Sequence, residues 1–465
     1  MQGKVSMVIP CYNKENYIDN MLHSVYKQTW NNIELIIVND GSTDGTHEII
    51  THWKPRFIER GFEVIIIEQE NLGVAAAVRN GMLRMTGDYL CQVDCDDELL
   101  PDYLTIMAGW LDQHPEYDWA GCGHTYVSAS GVKKKERPSF PITYSNPQIM
   151  MENYLMRRSF DVVIWVYVVR SKYLSACKVV ENYDIDSRLT QEPSFLLPLF
   201  CGGGRLKYFP QVLYRYYDDI SPNFPYPTVS ISRRYRNAFL ASECRVINKL
   251  NLPVSLKRRL ISIAKLFYFK HFLFNSYQAS DFRQHKSSIE SDLLEFVNTM
   301  FTPSPMISSD KIQYIGHIVL FQAIENCIWR ESYKPEVDRT LIKTQNTRMV
   351  GYGALSKFIG NYFHLLNGTP FLPSELWDAD SKPGDVLHGI PIVKPDIDSL
   401  KPDVTILVLP PSRSAISIEK MLDKKEIINY ITSNELLDYL SYKYLPELYD
   451  GCVFIGNPNE LECFS

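Results

Sequence analysis

A dense group of acidic residues lies in the run Gln92–Glu98. Asp94, Asp96 and Asp97 fall within four positions, directly after the apolar run Tyr89–Cys91. Crowded carboxylates raise one another's pKa, so folding alone gives no reason to collect them there. Hard divalent cations such as Mg²⁺ and Mn²⁺ prefer carboxylate and phosphate oxygens. The run predicts a metal–diphosphate site, and a solvated acidic turn is the alternative.

Strands alternate with helices over the first hundred residues. Short apolar runs predict four buried strands, at Val5–Ile9, Ile33–Val38, Glu63–Ile67 and Tyr89–Val93. Helix-patterned segments separate these runs, which predicts a parallel sheet with helices on both faces. Ligands of such sheets bind beyond the carboxyl ends of the strands. Polar clusters at 11–13, 39–40 and 94–97 fall at these ends, which favours a binding site over a capping turn.

The motifs in this order resemble those of family 2 glycosyltransferases of GT-A fold. They are Val8–Asn13, Val38–Thr46, Asn71–Gly73 and Asp94–Asp97, and the resemblance covers about the first 220 residues. It implies a nucleoside-diphosphate sugar donor, commonly a UDP-sugar, a divalent cation (Mn²⁺ or Mg²⁺) and inversion at the anomeric carbon. The expected acceptor is a saccharide or a lipid-linked saccharide in bacterial surface polysaccharide synthesis.

The resemblance also implies a role for each matching residue. Those expected to hold the donor nucleotide are Pro10, Tyr12, Glu15, Asp40, Arg79 and Asp94. Asp96 is expected to bind the metal that bridges the diphosphate, and Asp97 to orient the site or contact the donor sugar. For Arg79, a surface cation on an exposed helix face is an equal alternative.

A general base is expected near residue 190. Inverting transfer needs a group that deprotonates the acceptor hydroxyl as it attacks. The family keeps an acidic residue here, usually a Glu-Asp pair, where this chain has Gln191-Glu192. Glu192 is therefore the predicted base, with Asp184 and Asp186 in reserve. The alternative role of Glu192 is a plain helix-capping carboxylate.

A helical connector is predicted at 231–345. Basic and aromatic residues dominate 233–274, where Glu243 is the one acid. A basic amphipathic helix can lie on an anionic membrane surface, which would suit a lipid-linked acceptor. The preferred interpretation is that the aromatic face packs on a neighbouring domain. Peripheral membrane contact through 233–274 is the alternative.

The last part of the chain, 346–465, is predicted to be a small Rossmann-like α/β domain. A short strand precedes a GxGxxS motif, and a second strand candidate ends in acids. If a nucleotide binds, Gly351 and Gly353 would admit its phosphates, and Asp378 would take a ribose hydroxyl. A degenerate Rossmann fold used for assembly or substrate docking is the alternative.

Length and composition bound the class of protein. A chain of 465 residues is too long for one core, which leads to predicted domains at 1–230, 231–345 and 346–465. The net charge of −6 gives no reason to propose nucleic acid as a partner. Ten cysteines without a CxxC pair suit a reducing compartment, so a cytoplasmic location is expected, with the inner membrane face as a peripheral site. A non-catalytic sugar-nucleotide-binding module is the competing function.

Overall fold

A computed structural model gives the architecture of the chain. The residues that it describes are 2–128, 131–133, 146–157, 163–187, 190–217, 228–276, 279–299, 301–302, 307–308, 311, 320–324, 348–352, 363–367, 369, 371–387, 389–397, 404–409, 413–425, 430–445 and 453–454. The chain divides into two compact units, Met1–His285 and Lys286–Pro458. The division falls inside 231–345, the stretch predicted to be a helical connector.

The first unit is built around one large mixed sheet. Its strands are β1 (Val5–Cys11), β2 (Ile33–Asn39), β3 (Glu63–Glu68), β4 (Tyr89–Gln92), β5 (Glu98–Leu99), β6 (Trp119–Ser128), β7 (Gly131–Lys133), β8 (Tyr167–Arg170) and β9 (Leu206–Tyr217). They are ordered β3-β2-β1-β4-β8-β6-β9-β5, and β7 pairs with β6. The first four strands pair in parallel as predicted, whereas β8 is antiparallel to both β4 and β6. The α/β class predicted from the sequence is confirmed.

Helices accompany this sheet. They are α1 (Ile18–Tyr26), α2 (Thr46–Glu59), α3 (Val74–Met82), α4 (Tyr103–Gln113), α5 (Pro147–Leu155), α6 (Ser171–Ala176), α7 (Val179–Asn182), α8 (Glu192–Gly202), α9 (Val229–Lys249) and α10 (Val254–Ser276). Helix α11 (Phe282–Thr299) contains the division between the two units. In α1 the apolar residues Ile18, Met21, Leu22 and Val25 recur at helical spacing and are all buried. Such a stripe explains why this segment forms a helix on the sheet.

The central strands β1 and β2 are buried along their whole length. Both read as nearly continuous apolar runs, as parallel strands covered on both faces do. Glu34 in β2 is the one charged residue in these two strands, and it is 1% exposed. Its carboxylate accepts hydrogen bonds from the Ser6 hydroxyl and from the Thr86 backbone N–H at 2.8 Å. These bonds outweigh the effect of burial and hold the pKa of Glu34 below its usual range.

Strand β9 runs from Leu206 through Pro210 to Tyr217, although a proline normally ends a strand or sits at a bulge. A bulge in the β6–β9 ladder at Gly123 makes this possible. A Cβ atom at Gly123 would lie 3.0 and 3.1 Å from the carbonyl oxygens of Gln211 and Pro210. Gly123 of β6 therefore lies at a bulge where the backbone of β9 approaches closely.

Helices α9 and α10 belong to the first unit because they bury polar and aromatic side chains against it. Arg157 donates a hydrogen bond from Nη2 to Glu243 of α9 at 2.8 Å, and Glu243 is fully buried. Arg259 of α10 bonds Glu152 of α5 at 2.6 Å. The ring of Phe272 is buried beneath the guanidinium of Arg236. Phe272 of this stretch is therefore packed against another part of the same stretch, and packing of its aromatic face on a neighbouring domain stays a prediction.

The second unit contains a smaller sheet. Its elements are β10 (Phe301–Thr302), β11 (Arg348–Tyr352), a 3-10 helix (Phe363–Leu366), β12 (Glu375–Trp377), β13 (Val386–Leu387), β14 (Ile390–Val393), β15 (Val404–Val408), α12 (Arg413–Lys424), β16 (Tyr430–Ile431), α13 (Ser433–Tyr444) and β17 (Val453–Phe454). Six strands are ordered β13-β14-β12-β11-β15-β16. All of their pairings except β13–β14 are parallel.

Candidate active site

The carboxyl ends of β1 and β2 lie side by side and fix the loop before α3. Cys11 is opposite Asn39 in the parallel register, and the Asp40 N–H donates to the Cys11 carbonyl at 2.8 Å. The buried Asp40 carboxylate accepts the Leu72 and Gly73 backbone N–H groups, both at 2.9 Å. Asp40 therefore holds this loop in place. The expected contact of Asp40 with the donor nucleotide stays a prediction.

The loop after β1 is tied to the loop after β2. The Asn13 side chain accepts the Thr43 N–H at 2.8 Å, and the Glu15 carboxylate accepts the Gly45 N–H, also at 2.8 Å. Pro10 is buried at the end of β1, whereas Tyr12 is 44% exposed. Of the residues expected around the base and ribose, Tyr12 therefore offers an open aromatic surface, and Glu15 shapes the loops beside it.

The acidic run follows β4, and its buried member is Asp97. This carboxylate is 1% exposed and accepts the Tyr214 hydroxyl at 2.7 Å and the Tyr217 N–H at 3.0 Å. Burial first, and then the charges of Asp94 and Asp96, raise the pKa of Asp97 to about 9. Asp97 thus joins the acidic run to the end of β9. Tyr214 was missed in the sequence because a buried tyrosine in a strand carries no distinctive pattern.

Asp94, the first acid of the run, is half-buried. Its Oδ1 accepts the Gln92 side-chain amide at 3.1 Å, and within the described part of the chain its Oδ2 has no partner. Burial raises the pKa of Asp94 to about 8, and the negative charges of Asp96 and Glu192 add to this effect. Glu192 is distant in sequence, and its effect on the pKa of Asp94 indicates that the fold brings these two carboxylates within electrostatic range of each other.

Lys14 supplies a cation that the sequence analysis missed. Its Nζ lies 2.5 Å from the Asp96 carboxylate, and the two side chains are 25% and 22% exposed. Burial opposes the charged ammonium, but the carboxylate of Asp96 outweighs this and raises the pKa of Lys14. The signal available in the sequence was a lysine directly after the polar residues that end β1. That signal is weak without knowing that β1 and β4 are neighbours.

The carboxylates fit a divalent cation that is shared with a substrate. Across the described ranges, no three His, Cys, Asp or Glu side chains are arranged to enclose a metal by themselves. Mg²⁺-type sites commonly use one or two carboxylates and complete their shell with substrate phosphates and water. Asp96 is half-buried, so its carboxylate offers a hard oxygen ligand of the kind that such a site requires.

Glu192 begins α8 with one carboxylate oxygen engaged and one free. Its Oε2 accepts the Thr190 hydroxyl and the Gln191 N–H at 3.0 Å. Its Oε1 has no hydrogen-bond partner among the residues that the structure describes. The reserve candidate Asp184 is fully buried in an ion pair with Arg245 and cannot meet a substrate. Glu192 therefore serves as a cap and also retains an oxygen that can accept a proton.

Arg79 makes a structural contact at the end of α3. Its Nε donates to the carbonyl of Val180 in α7 at 3.1 Å. The side chain is half-buried, which differs from the exposed surface cation considered as its alternative. Its expected contact with the donor is not tested by this bond.

Two of the C-terminal candidates, Gly351 and Asp378, lie in or directly after strands of the second unit. Gly351 lies inside β11, where a Cβ atom would meet a terminal methyl group of Leu376 at 2.6 Å and of Leu409 at 2.8 Å, so any side chain there requires these leucines to shift. Asp378 directly follows β12, and its Oδ1 accepts the Asp380 N–H at 3.0 Å. Gly353 lies outside the described residues.

Comparisons with known proteins agree with the motifs of the first unit. Residues 6–171 match the family model of Glycosyl transferase family 2. The chain is 43% identical over 107 residues to Glycosyltransferase GlyA of Streptococcus pneumoniae, covering 23% of this chain and 15% of that protein. It is 26% identical over 215 residues to the uncharacterized glycosyltransferase EpsJ of Bacillus subtilis, covering 46% and 60%. The chain thus spans less than two thirds of either relative.

A solved structure of S. aureus TarS 1-349 is also similar, with a TM-score of 0.48 and 16% sequence identity. That likeness covers 70% of this chain and 86% of the TarS chain. The family model matches the part of the chain that holds the four strand-end motifs, from β1 to the start of α6. This match identifies residues 6–171 as similar to Glycosyl transferase family 2.

Proposed function

We propose that the chain is an inverting glycosyltransferase. It moves a sugar from a nucleoside-diphosphate sugar, with UDP as the favoured nucleotide, to a saccharide or lipid-linked saccharide acceptor in bacterial surface polysaccharide synthesis. The observation that carries this proposal is the Oε1 of Glu192, which has no hydrogen-bond partner among the described residues and belongs to a carboxylate whose negative charge raises the pKa of Asp94. The match of residues 6–171 to the family model supports the reaction class, and the residue roles below extend it to this chain.

The proposed donor site lies across the ends of β1, β2 and β4. The exposed ring of Tyr12 packs on the base, and the free oxygen of Asp94 accepts a ribose hydroxyl. Pro10 and Glu15 support this surface, and Asp40 acts by fixing the loop before α3. These roles use the geometry of one sheet edge, where parallel-sheet proteins bind their ligands.

The proposed chemistry is divided between the two sides of the scissile bond. Asp96 holds a divalent cation, which supplies charge neutralisation to the leaving diphosphate when it is bound. Glu192 accepts the proton of the acceptor hydroxyl as that oxygen attacks the anomeric carbon. Asp97 fixes the orientation of the acidic run through its bonds to Tyr214 and Tyr217. Arg79 secures α7 behind the donor.

A second nucleotide site is proposed in the C-terminal unit. Taking its parallel strands in chain order from β11, and leaving out the antiparallel β13, the spatial order is third, second, first, fourth, fifth. This is the order of doubly wound dinucleotide-binding sheets, whose second strand ends in an acid that bonds the ribose. Asp378 occupies that position after β12. A domain used only for assembly would share this order, so nucleotide binding by Asp378→Asn and wild-type protein decides between them.

We further propose that the protein acts in the cytoplasm, with the inner membrane face as a peripheral site through 233–274. Within the described ranges, no helix combines the length and apolarity that crossing a bilayer requires. Vesicle flotation tests the membrane proposal. Recovery of the whole protein in the soluble fraction with anionic vesicles would remove it.

The competing function is a module that binds sugar nucleotides without transferring the sugar. A panel of nucleotide sugars with Mn²⁺ or Mg²⁺, with and without chelator, separates the two functions. Metal-dependent release of nucleoside diphosphate by the wild type, lost in Asp96→Ala and kept in the exposed control Glu48→Ala, supports the transferase. Tight metal-dependent binding, with no release and no transfer to any offered saccharide, supports the binding module. Absence of binding refutes the donor site.

A further inference from the structure

Helix α9 buries polar side chains next to the helix that carries Glu192. Ser242 and Glu243 are both fully buried, and Arg245 of the same turn pairs with the buried Asp184. A connector that only fills space would present apolar side chains here, because burying polar groups costs free energy unless every bond is made. The arrangement of these groups therefore calls for a specific explanation.

The target of two of these side chains is the carboxylate of Asp184. Arg245 donates from Nε to Oδ1 and from Nη2 to Oδ2, each at 2.9 Å, and the Ser242 hydroxyl donates to Oδ2 at 2.8 Å. Asp184 itself is fully buried. A paired guanidinium–carboxylate contact of this kind fixes direction as well as distance.

Asp184 passes this constraint to α8. Its backbone N–H donates to the hydroxyl of Ser194 at 2.9 Å, and Ser194 is fully buried in the first turn of α8. Glu192 begins the same turn, two positions earlier. The first turn of the helix that carries the predicted base is thus bonded through one residue to α9.

The segment that contains Asp184 is also held from the donor side. Arg79 of α3 donates to the Val180 carbonyl at 3.1 Å, and Lys249 of α9 donates to the Tyr183 carbonyl at 3.3 Å. Residues 179–184 therefore connect α3, which follows the donor loop, with α8 and α9. Both contacts are bonds from a long basic side chain to a backbone carbonyl, so another residue type at position 79 or 249 would not easily replace them.

We propose that the chain of contacts from Arg245 through Asp184 to Ser194 positions Glu192 against the acceptor. Helix α9 would then contribute to catalysis by holding the first turn of α8 in place. Arg245, Asp184 and Ser194 are positioning residues, because none of them touches the reacting atoms. This inference rests on the proposed function for the role of Glu192. The contacts that carry it are independent of that role.

The test compares full-length Arg245→Met, Arg245→Lys and Ser194→Ala with the matched control Arg234→Met. Arg234 is an exposed arginine of the same helix. Ser194→Ala removes the acceptor of the Asp184 N–H but keeps the ion pair, so it protects the test against a variant that fails to fold. Hydrogen–deuterium exchange reports on the backbone amides of Glu192 and of residues 194–197, because Pro193 has no N–H. Steady-state transfer reports on kcat and on the donor KM.

We expect amide exchange in the first turn of α8 to rise about tenfold or more in Arg245→Met and Ser194→Ala, and to stay unchanged in the control. Transfer should lose about 10- to 100-fold in kcat with the donor KM nearly constant, because only the base is displaced. Arg245→Lys should recover part of the loss, since it keeps the charge but not the paired bonds.

Two results would overturn the inference. One is exchange in the first turn of α8 that matches the control in both Arg245→Met and Ser194→Ala. The other is an active wild type whose variants lose activity only in proportion to their folded fraction. A wild type that neither binds nor cleaves any donor refutes the proposed function instead, and the exchange measurement still decides whether α9 anchors α8.

Discussion

Replacement of Glu192 by glutamine isolates proton acceptance from structure. Glutamine keeps one carbonyl oxygen, which can still accept the bonds that Thr190 and Gln191 donate to Oε2 in the wild type. The replaced atom is the Oε1 position, which has no partner within the described part of the chain. The variant should therefore fold and cap α8 normally while lacking a carboxylate that can take a proton.

The expected loss follows from the contribution of a general base. Such a group is worth about 10²- to 10⁴-fold in rate, or roughly 2.7–5.4 kcal/mol of transition-state free energy. Donor binding should change little, because Glu192 acts on the acceptor side. Removing its negative charge should also lower the pKa of Asp94, which Glu192 helps to raise.

The assay measures transfer by single-turnover kinetics and donor affinity by calorimetry on the same samples. The matched control is Glu181→Gln, an exposed glutamate of α7. A transfer rate within about threefold of the wild type would refute the base assignment, because that ratio corresponds to less than 1 kcal/mol. An equal loss of donor affinity and rate would show that Glu192 binds the donor instead.

Three further outcomes are expected. Glu34→Gln should cost about 1–3 kcal/mol of unfolding free energy at pH 7. Because the pKa of Glu34 is lowered on folding, the stability that its carboxylate contributes is lost as the pH falls through the folded-state pKa. Urea midpoints of variant and wild type should therefore converge below about pH 4. Lys14→Met removes the ammonium that pairs with Asp96, so calorimetry without donor should show tighter Mn²⁺ binding, and unchanged affinity would count against competition. Arg157→Met leaves the buried Glu243 without its ion-pair partner and should cost about 3–5 kcal/mol in urea unfolding, whereas a loss below 1 kcal/mol would contradict that view.

The parallel core and its ligand edge were predictable because they depend on local patterns. The apolar runs that became β1, β2 and β4 are short and bounded by turn residues, and their polar ends meet as a parallel sheet requires. The continuation of β9 past Pro210 is not evident from the local sequence, because a proline normally ends a strand. Its tolerance depends on a bulge opposite Gly123, which a single segment of sequence does not reveal.

The choice between acids near α8 depended on tertiary contacts. Asp184 and Glu192 both precede or begin an apolar helix, and the sequence offered no physical ground to separate them beyond the family pattern. Arg245, which comes much later in the chain, buries one and leaves the other open. Lys14 was missed for the same reason, since its partner Asp96 belongs to a different strand end.

The late position of Arg245 in the chain has a consequence for biosynthesis. During translation the strands β1 to β4 emerge first and can form the donor side of the site before α9 exists. The first turn of α8 receives its anchor only after residue 245 has left the ribosome. A nascent chain or a transplanted module that ends with the family match at residue 171 lacks α8 altogether, and one that ends at residue 230 has α8 without its anchor. Exchange of this domain between related enzymes should therefore take the whole unit to His285.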